Sequence, residues 1–239
     1  MRFSVVVPAH NEELRLPEAL RSIALAAAQV DGDVEVIVVA NRCADATAEL
    51  ARDAGAIVID DESRNISAVR NRGAAAAAAD VLVTIDADAV MSPFTFREIE
   101  RLLGSGRFVG GGTKVLPERW SFGIRATYAV VAVTLLLTRL GGGLFWCLRS
   151  DFEAVGGFDE EQLIGEDLEF AARLRSHGKK TGRGFTTIRT APIVASCRKF
   201  DRFGDWHMFG MALQAREIRA VLKGRDTAWV DRYFFDFND

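Results

Sequence analysis

The sequence predicts an α/β fold, a central and mostly parallel sheet flanked by helices on both faces. Three observations lead there. Short apolar runs recur through the first part of the chain: "FSVVV" at 3–7, "VEVIVVA" at 34–40, "AIVI" at 56–59 and "VLVTI" at 81–85. They are apolar almost throughout rather than at every second residue, the pattern of strands covered on both sides. Stretches rich in Leu and Ala lie between them, so strands and helices alternate.

The elements follow in order. Pro8 closes the first strand, and Asn11 is the expected N-cap of a helix over 12–28. A helix over 44–54, capped by Asp45, connects the second and third strands. An alanine-rich helix over 67–79 leads to the fourth strand, and its run from Ala74 to Ala79 reads as a face packed closely on the sheet. Ser92-Pro93 opens a helix over 94–103, with Pro in the first turn. "FVGGGTKVL" (108–116) reads as a strand with a glycine-rich kink. An apolar helix near 124–140 stops at Gly141-Gly142-Gly143, and "LFWCLR" (144–149) is a strand. A short helix over 151–155 ends at Gly156-Gly157, and Gly165-Glu166-Asp167 opens a helix running to about Ser176. "TTIRTAPIVAS" (186–196) alternates as a strand does. A helix over about 205–223 and an aromatic, acidic tail finish the chain. Trp229, Tyr233, Phe234, Phe235 and Phe237 of that tail are expected to pack or to make a homodimer contact.

Composition narrows the function. With 49% hydrophobic and 26% charged residues the chain reads as a soluble globular protein, and a formal net charge of −3 argues against a nucleic-acid partner. Cys43, Cys147 and Cys197 are far apart and form no CxxC pair, so they read as reduced thiols of a cytoplasmic protein. "MRFSVVVPAHNEE" has too short an apolar run for a signal peptide. "ATYAVVAVTLLLT" (126–138), between Arg125 and Arg139, falls short of the roughly 20 apolar residues of a bilayer span. It reads as a buried or interfacial helix, which leaves peripheral contact with the cytoplasmic face of a membrane open.

In doubly wound sheets, ligands gather beyond the carboxyl ends of the strands. Pro8 to Glu12, Asn41 to Asp45 and Asp86 to Asp88 all fall at such ends. Asp86 and Asp88 alternate along an extended chain and so share one side. Two ionised carboxylates that close repel unless a cation or a proton lies between them. Mg²⁺ and similar hard cations take oxygen ligands and commonly combine one or two carboxylates with substrate phosphates, so a metal-held diphosphate is one reading. A turn shaped by Asp is the other. Glu166 and Asp167 have the same double character, because acidic residues also suit the start of a helix.

Taken together, "VVVPAHNEE" (5–13), "ISAVRNRGAAAAAADVLVTIDAD" (66–88), "GGFDE" (156–160) and "GEDLEFAARLRSHGKK" (165–180) resemble the family 2 glycosyltransferases of the GT-A fold, from residue 3 to about residue 200. The resemblance implies one domain over 1–239: a nucleotide-sugar-binding half (1–90), an acceptor and catalytic half (91–200), and a C-terminal helix and tail (201–239). It implies transfer of a sugar from a nucleotide-diphosphate sugar to an acceptor hydroxyl with inversion, using a divalent metal, Mn²⁺ or Mg²⁺. Pro8, Ala9 and Glu12 match the loop against base and ribose, and Arg70 and Asn71 a segment that contacts nucleotide and phosphates; His10 sits in the same first loop, placed to stack on the nucleotide or hydrogen-bond to it. Asp86 and Asp88 match the metal-binding D-x-D, with Asp86 also touching ribose. Asp167 matches the catalytic base, and Glu166 is expected to bind the acceptor, which is itself unidentified: a sugar, a lipid-linked molecule or a small molecule. Within "SCRKFDRFGDWH" (196–207), read as a loop, Arg198 or Lys199 is placed to neutralise the leaving group, and His207 is either a third metal ligand or structural.

One departure bears on the donor. Family members often carry an Asp at the end of the second strand that pairs with a uracil N–H, and here Ala40 holds that place with Asn41 next. A carboxylate only accepts hydrogen bonds, whereas Asn offers a donor and an acceptor, so uridine, guanosine and other donors stay open. Two rival functions remain. A nucleotidyltransferase would need a glycine-rich, Lys- or Arg-bearing loop where "PAHNEE" stands, and a non-catalytic nucleotide-sugar-binding protein of the same fold would often have lost Asp86, Asp88 or Asp167.

Overall fold

A computed structural model describes residues 1–138, 141–162 and 165–209. β1 (Phe3–Ala9), β2 (Val34–Asn41), β3 (Ile57–Asp61) and β4 (Val81–Ile85) run parallel, as the apolar runs require. β5 (Ala89–Val90), β6 (Phe108–Pro117), β7 (Gly142–Leu148) and β8 (Gly184–Ala195) complete one eight-stranded sheet of order β3-β2-β1-β4-β7-β6-β8-β5. β7 pairs antiparallel with β4 and β6, whereas β6 and β8 are parallel. The first half of the sheet is therefore uniform and the second mixed.

Alternate residues of each strand feed opposite cores. Val5 and Val7 of β1 pack with Leu16, Leu20 and Ile23 of α1 (Leu16–Ala27) and Phe96 of α4 (Thr95–Gly104) on one face. Val6 packs with Val39, Val69 of α3 (Ile66–Ala75), and Phe170 and Leu174 of α7 (Glu166–Lys180) on the other. Each such side chain contributes about 1.5–3 kcal/mol on burial. Gly73 sets how closely α3 approaches the sheet. A Cβ there would lie 2.4 Å from Val6 Cγ1 and 2.9 Å from Val39 Cγ2, so only glycine lets α3 lie this near the strands. Arg70, on the same helix, is thereby sunk at the carboxyl edge of the sheet.

The remaining helices are α2 (Thr47–Asp53), α5 (Phe122–Thr138), α6 (Arg149–Ala154) and α8 (Arg198–Phe203). Among the described residues no helix is long and apolar enough to cross a membrane.

Several boundaries differ from the sequence expectations for physical reasons. Asn11 is not an N-cap. It adopts a left-handed φ of 49°, its Oδ1 accepts from Ala44 N–H at 2.8 Å, and α1 begins later, behind Arg15 and with Pro17 in its first turn. Asp45 stands one residue before the N-cap position of α2, Ala46, yet its side chain still caps the helix. Its two oxygens accept from Thr47 and Glu13 N–H, both at 3.0 Å, tying the first two strand-end loops together. α3 stops at Ala75, before the alanine run ends, because the Glu35 carboxylate accepts the N–H of Ala78 at 2.7 Å and of Ala79 at 3.2 Å. α7 continues past Ser176 to Lys180, and the 196–207 stretch holds the short helix α8 rather than a plain loop. Residues 207–209 are helical, and the rest of the expected 205–223 helix and the aromatic tail lie outside the described residues.

Candidate active site

The ends of β1, β2 and β4 and the starts of α3, α7 and α8 enclose a cleft of about 390 Å³. Pro8, Ala9, His10, Glu12, Asn41, Arg70, Asp86, Asp88, Glu166, Asp167 and Arg198 all line it. These residues come from positions as far apart as 8 and 198, and the sheet edge brings them together.

Two arginines organise the cleft. Arg70, with its side chain 7% exposed, donates from Nη1 to Glu166 Oε1 at 3.0 Å and Asp167 Oδ1 at 2.8 Å, and from Nη2 to Asp86 Oδ1 at 2.9 Å. Its guanidinium lies 5.3 Å from the centre of the Phe158 ring. Burial alone disfavours the cation, but Asp167, Asp86 and Glu166 outweigh it and raise its pKa, so Arg70 is a fixed positive charge. Arg198, at the start of α8, donates from Nη1 to Glu12 Oε2 at 2.8 Å, and its Nη2 pairs with Glu12 Oε1 and with Asp88 Oδ2, the latter at 3.1 Å. Each arginine therefore joins one carboxylate of the β4 pair to a different element.

Negative charge is still in excess locally. Burial, with the charges of Asp86 and Glu12, pushes the Asp88 carboxyl up to about 6 against the pull of Arg198. Burial, with Glu166 and Asp86, pushes Asp167 up to about 6 against Arg70. Hydrogen bonds and ion pairs within the protein do not relieve the crowding fully, and a divalent cation would. Asp86 and Asp88 offer the hard oxygen donors such a cation takes. Among the described residues no group of three or more His, Cys, Asp or Glu is arranged to hold a metal alone. The donor set thus fits a Mn²⁺ or Mg²⁺ whose remaining ligands come with a diphosphate.

The other expected residues divide. His10 Nδ1 lies 2.7 Å from the Asn41 carbonyl, which fixes its ring at the cleft wall. Glu12 N–H donates to Thr47 Oγ1 at 2.7 Å, so its loop is held while its carboxylate meets Arg198. Lys199 lines the cleft, and burial lowers its pKa despite Asp88 and Asp86. Asn71 is the exception. It does not line the cleft: its Oδ1 accepts from Phe158 N–H at 2.8 Å, and its Nδ2 donates to Phe158 O at 2.8 Å and Glu160 Oε1 at 2.9 Å. Its amide is used to clamp the "GGFDE" turn, where Gly157 has φ 68° and a Cβ would lie 2.6 Å from Asn71 Oδ1. His207 also stands apart, with Nδ1 2.8 Å from Gly204 O and its ring 4.9 Å from that of Phe200, so it packs within the α8 turn.

Arg64, Asn65, Ile66, Val69 and Gln162 line the cleft without having been expected there. Asn65 carried a readable signal, since it is the N-cap of α3, accepting from Ser67 and Ala68 N–H. A capped helix start at a strand end is a place for ligands.

Comparisons with known proteins agree with this fold. The sequence model described as glycosyl transferase family 2 matches residues 4–127. An undecaprenyl-phosphate 4-deoxy-4-formamido-L-arabinose transferase of Pseudomonas fluorescens is 34% identical over 110 residues, 42% of this chain and 31% of that protein. A 4,4'-diaponeurosporenoate glycosyltransferase of Staphylococcus haemolyticus is 39% identical over 92 residues, 36% of this chain and 24% of that protein. The chain thus matches about a third or less of the length of these relatives. Among solved structures, the mannosyltransferase PcManGT of Pyrobaculum calidifontis, in complex with GDP-Man and Mn²⁺, superposes with a TM-score of 0.62 at 20% identity, covering 80% of this chain and 56% of that one. Glucosyl-3-phosphoglycerate synthase of Mycobacterium tuberculosis, in complex with Mn²⁺, UDP and phosphoglyceric acid, gives 0.62 at 22% identity, covering 93% and 78%. At these identities they show the GT-A fold.

Proposed function

This chain belongs to glycosyl transferase family 2, and from that premise we propose that it moves a sugar from a nucleotide-diphosphate sugar to an acceptor hydroxyl by one inverting displacement. The observation that carries the reading is the convergence of Asp86, Asp88 and Asp167 around Arg70 in a single cleft. Pro8, Ala9 and His10 form the wall against base and ribose. Asp86 and Asp88 hold the divalent metal, which when bound neutralises the charge of the departing diphosphate. Arg198 and Lys199 stand at the diphosphate end, and phosphate oxygens there can replace the carboxylates that Arg198 meets in the free protein.

Asp167 is the general base. With its pKa near 6 it is deprotonated at neutral pH, yet more basic than an ordinary aspartate, so it can take the hydroxyl proton as the oxygen attacks. Arg70 fixes its orientation, and Glu166, held by the same guanidinium, binds the acceptor. One carboxylate suffices because an inverting displacement has no covalent intermediate to resolve.

For the acceptor, the exposure of α5 supports one reading. Val130, Val131 and Val133 are 54%, 41% and 56% exposed, and the helix from Ala129 to Thr134 is exposed on every side. An apolar stretch exposed throughout residues 129–134, with Trp120 and Trp206 exposed as well, supports contact with the cytoplasmic surface of a membrane and an acceptor carried on a lipid.

Calorimetric titration tests the donor site. Nucleoside diphosphate should bind at least about tenfold more tightly with Mn²⁺ than without, and Asp88→Ala should remove that gain. A wild-type affinity indifferent to Mn²⁺ would dispose of the metal site.

A further inference from the structure

Asn41 ends β2 and lines the cleft next to His10. Its Nδ2 donates to Asp61 Oδ1 at 2.9 Å and to Ser63 O at 2.8 Å, with Asp61 O at 3.2 Å. Three acceptors surround the nitrogen, so the amide can turn only one way. A flip would set Oδ1 against a carboxylate and two carbonyls. Asp61 is itself fixed at the end of β3, buried, with Ser63 N–H at 2.9 Å and Ser63 Oγ at 2.5 Å on Oδ1 and Arg72 Nε at 3.1 Å on Oδ2. Burial pushes its carboxyl up, but the hydrogen bonds from Ser63, Arg72 and Asn41 prevail and hold it below the usual range, so it stays an acceptor. The main-chain carbonyl of Asn41 is taken by His10. The side-chain Oδ1 accepts no hydrogen bond among the described residues. A residue that carries both a donor and an acceptor thus offers the cleft its acceptor alone.

We propose that Asn41, oriented by Asp61, selects nucleotides whose base bears a ring N–H at the centre of its hydrogen-bonding edge, uracil or guanine, over cytosine and adenine. The inference rests on the donor-site reading above. A ring N–H satisfies Oδ1, whereas cytosine and adenine bring a ring lone pair to the same place, which repels the oxygen and leaves it unpaired. Asn41 touches the base. Asp61 is a positioning residue that acts through it, and makes an amide behave as a carboxylate would.

The test is calorimetric titration of UDP, GDP, CDP and ADP with Mn²⁺ into wild type, Asn41→Leu and Asp61→Ala, with thermal melts to verify folding. In wild type, UDP or GDP should bind at least about tenfold more tightly than both CDP and ADP, and the UDP and GDP arms tell the two bases apart. Asn41→Leu keeps the branched shape and removes the acceptor, so the preference should shrink to about threefold or less while CDP and ADP affinities hold. Should that variant not fold, Asp61→Ala carries the test by the same fall in ratio, to an intermediate value. The proposal is overturned if CDP or ADP binds wild type as tightly as the better of UDP and GDP. It is equally overturned if the folded variants weaken all four nucleotides by one factor, as a merely structural role would. Both of those results leave the donor site standing, whereas failure of all four to bind wild type would overturn the donor site and this inference together.

Discussion

The two arginines of the cleft make an instructive pair. Arg70 comes from the nucleotide half and reaches across to Glu166 and Asp167 of the acceptor half, while Arg198 comes from the acceptor half and reaches back to Glu12 and Asp88. Their surroundings differ. The Arg70 side chain is 7% exposed, on a ten-residue helix laid tightly on the sheet, and that of Arg198 is 26% exposed, at the start of a six-residue helix. A deeply sunk cation with three carboxylate partners is part of the frame. A more open one, sharing its charge between two carboxylates, can exchange them for substrate phosphates.

That contrast can be broken by mutation. Arg70→Ala should have the largest effect. It strands Asp86, Glu166 and Asp167 without their shared cation and should cost about 3 kcal/mol of stability, the lower end for a broken buried pair because Asp86 is half exposed. Urea unfolding measures it, and Arg70→Lys should rescue little, since an ammonium cannot reproduce the forked contacts. Arg198→Ala should leave stability within about 1 kcal/mol and instead weaken nucleoside diphosphate binding by about tenfold. If the two substitutions destabilised the protein equally, the distinction between frame and exchangeable contact would be lost. The smallest expected effect concerns α5: Val130→Asp with Val133→Asp should abolish flotation with anionic lipid vesicles and leave nucleotide binding unchanged. Wild type that does not float would refute the membrane reading.

The same contrast explains what could be read in advance. "VLVTI" forms β4 over the residues expected, and Asp86 and Asp88 fall at its end, because a run apolar at every position has only one place in a sheet covered on both faces. The strand ends then follow from topology, and with them the cleft. Less legible were features decided by contacts distant in sequence. The α3 terminus depends on Glu35, 43 residues from Ala78. Asn71 adjoins Arg70 in sequence yet serves the turn at Phe158, 87 residues away, because successive helix residues point some 100° apart. The amide of Asn41 is ambivalent by residue type, and Asp61 and Ser63 around it fix which end is left to the cleft. In each case the residue type allowed two roles, and the tertiary neighbour decided between them.

The central claim is that Asp167 takes the acceptor's proton. Wild-type transfer should hold above pH 6 and fall about tenfold per pH unit below it, because a base whose pKa is raised to about 6 is lost by protonation as pH drops through that value. The decisive measurement is therefore sugar transfer by Asp167→Asn at pH 7.5 or thereabouts, alongside its affinity for the nucleoside diphosphate with Mn²⁺. The account predicts a loss of roughly 10²–10⁴-fold in turnover with nucleotide affinity preserved. Turnover within a few-fold of wild type would contradict it.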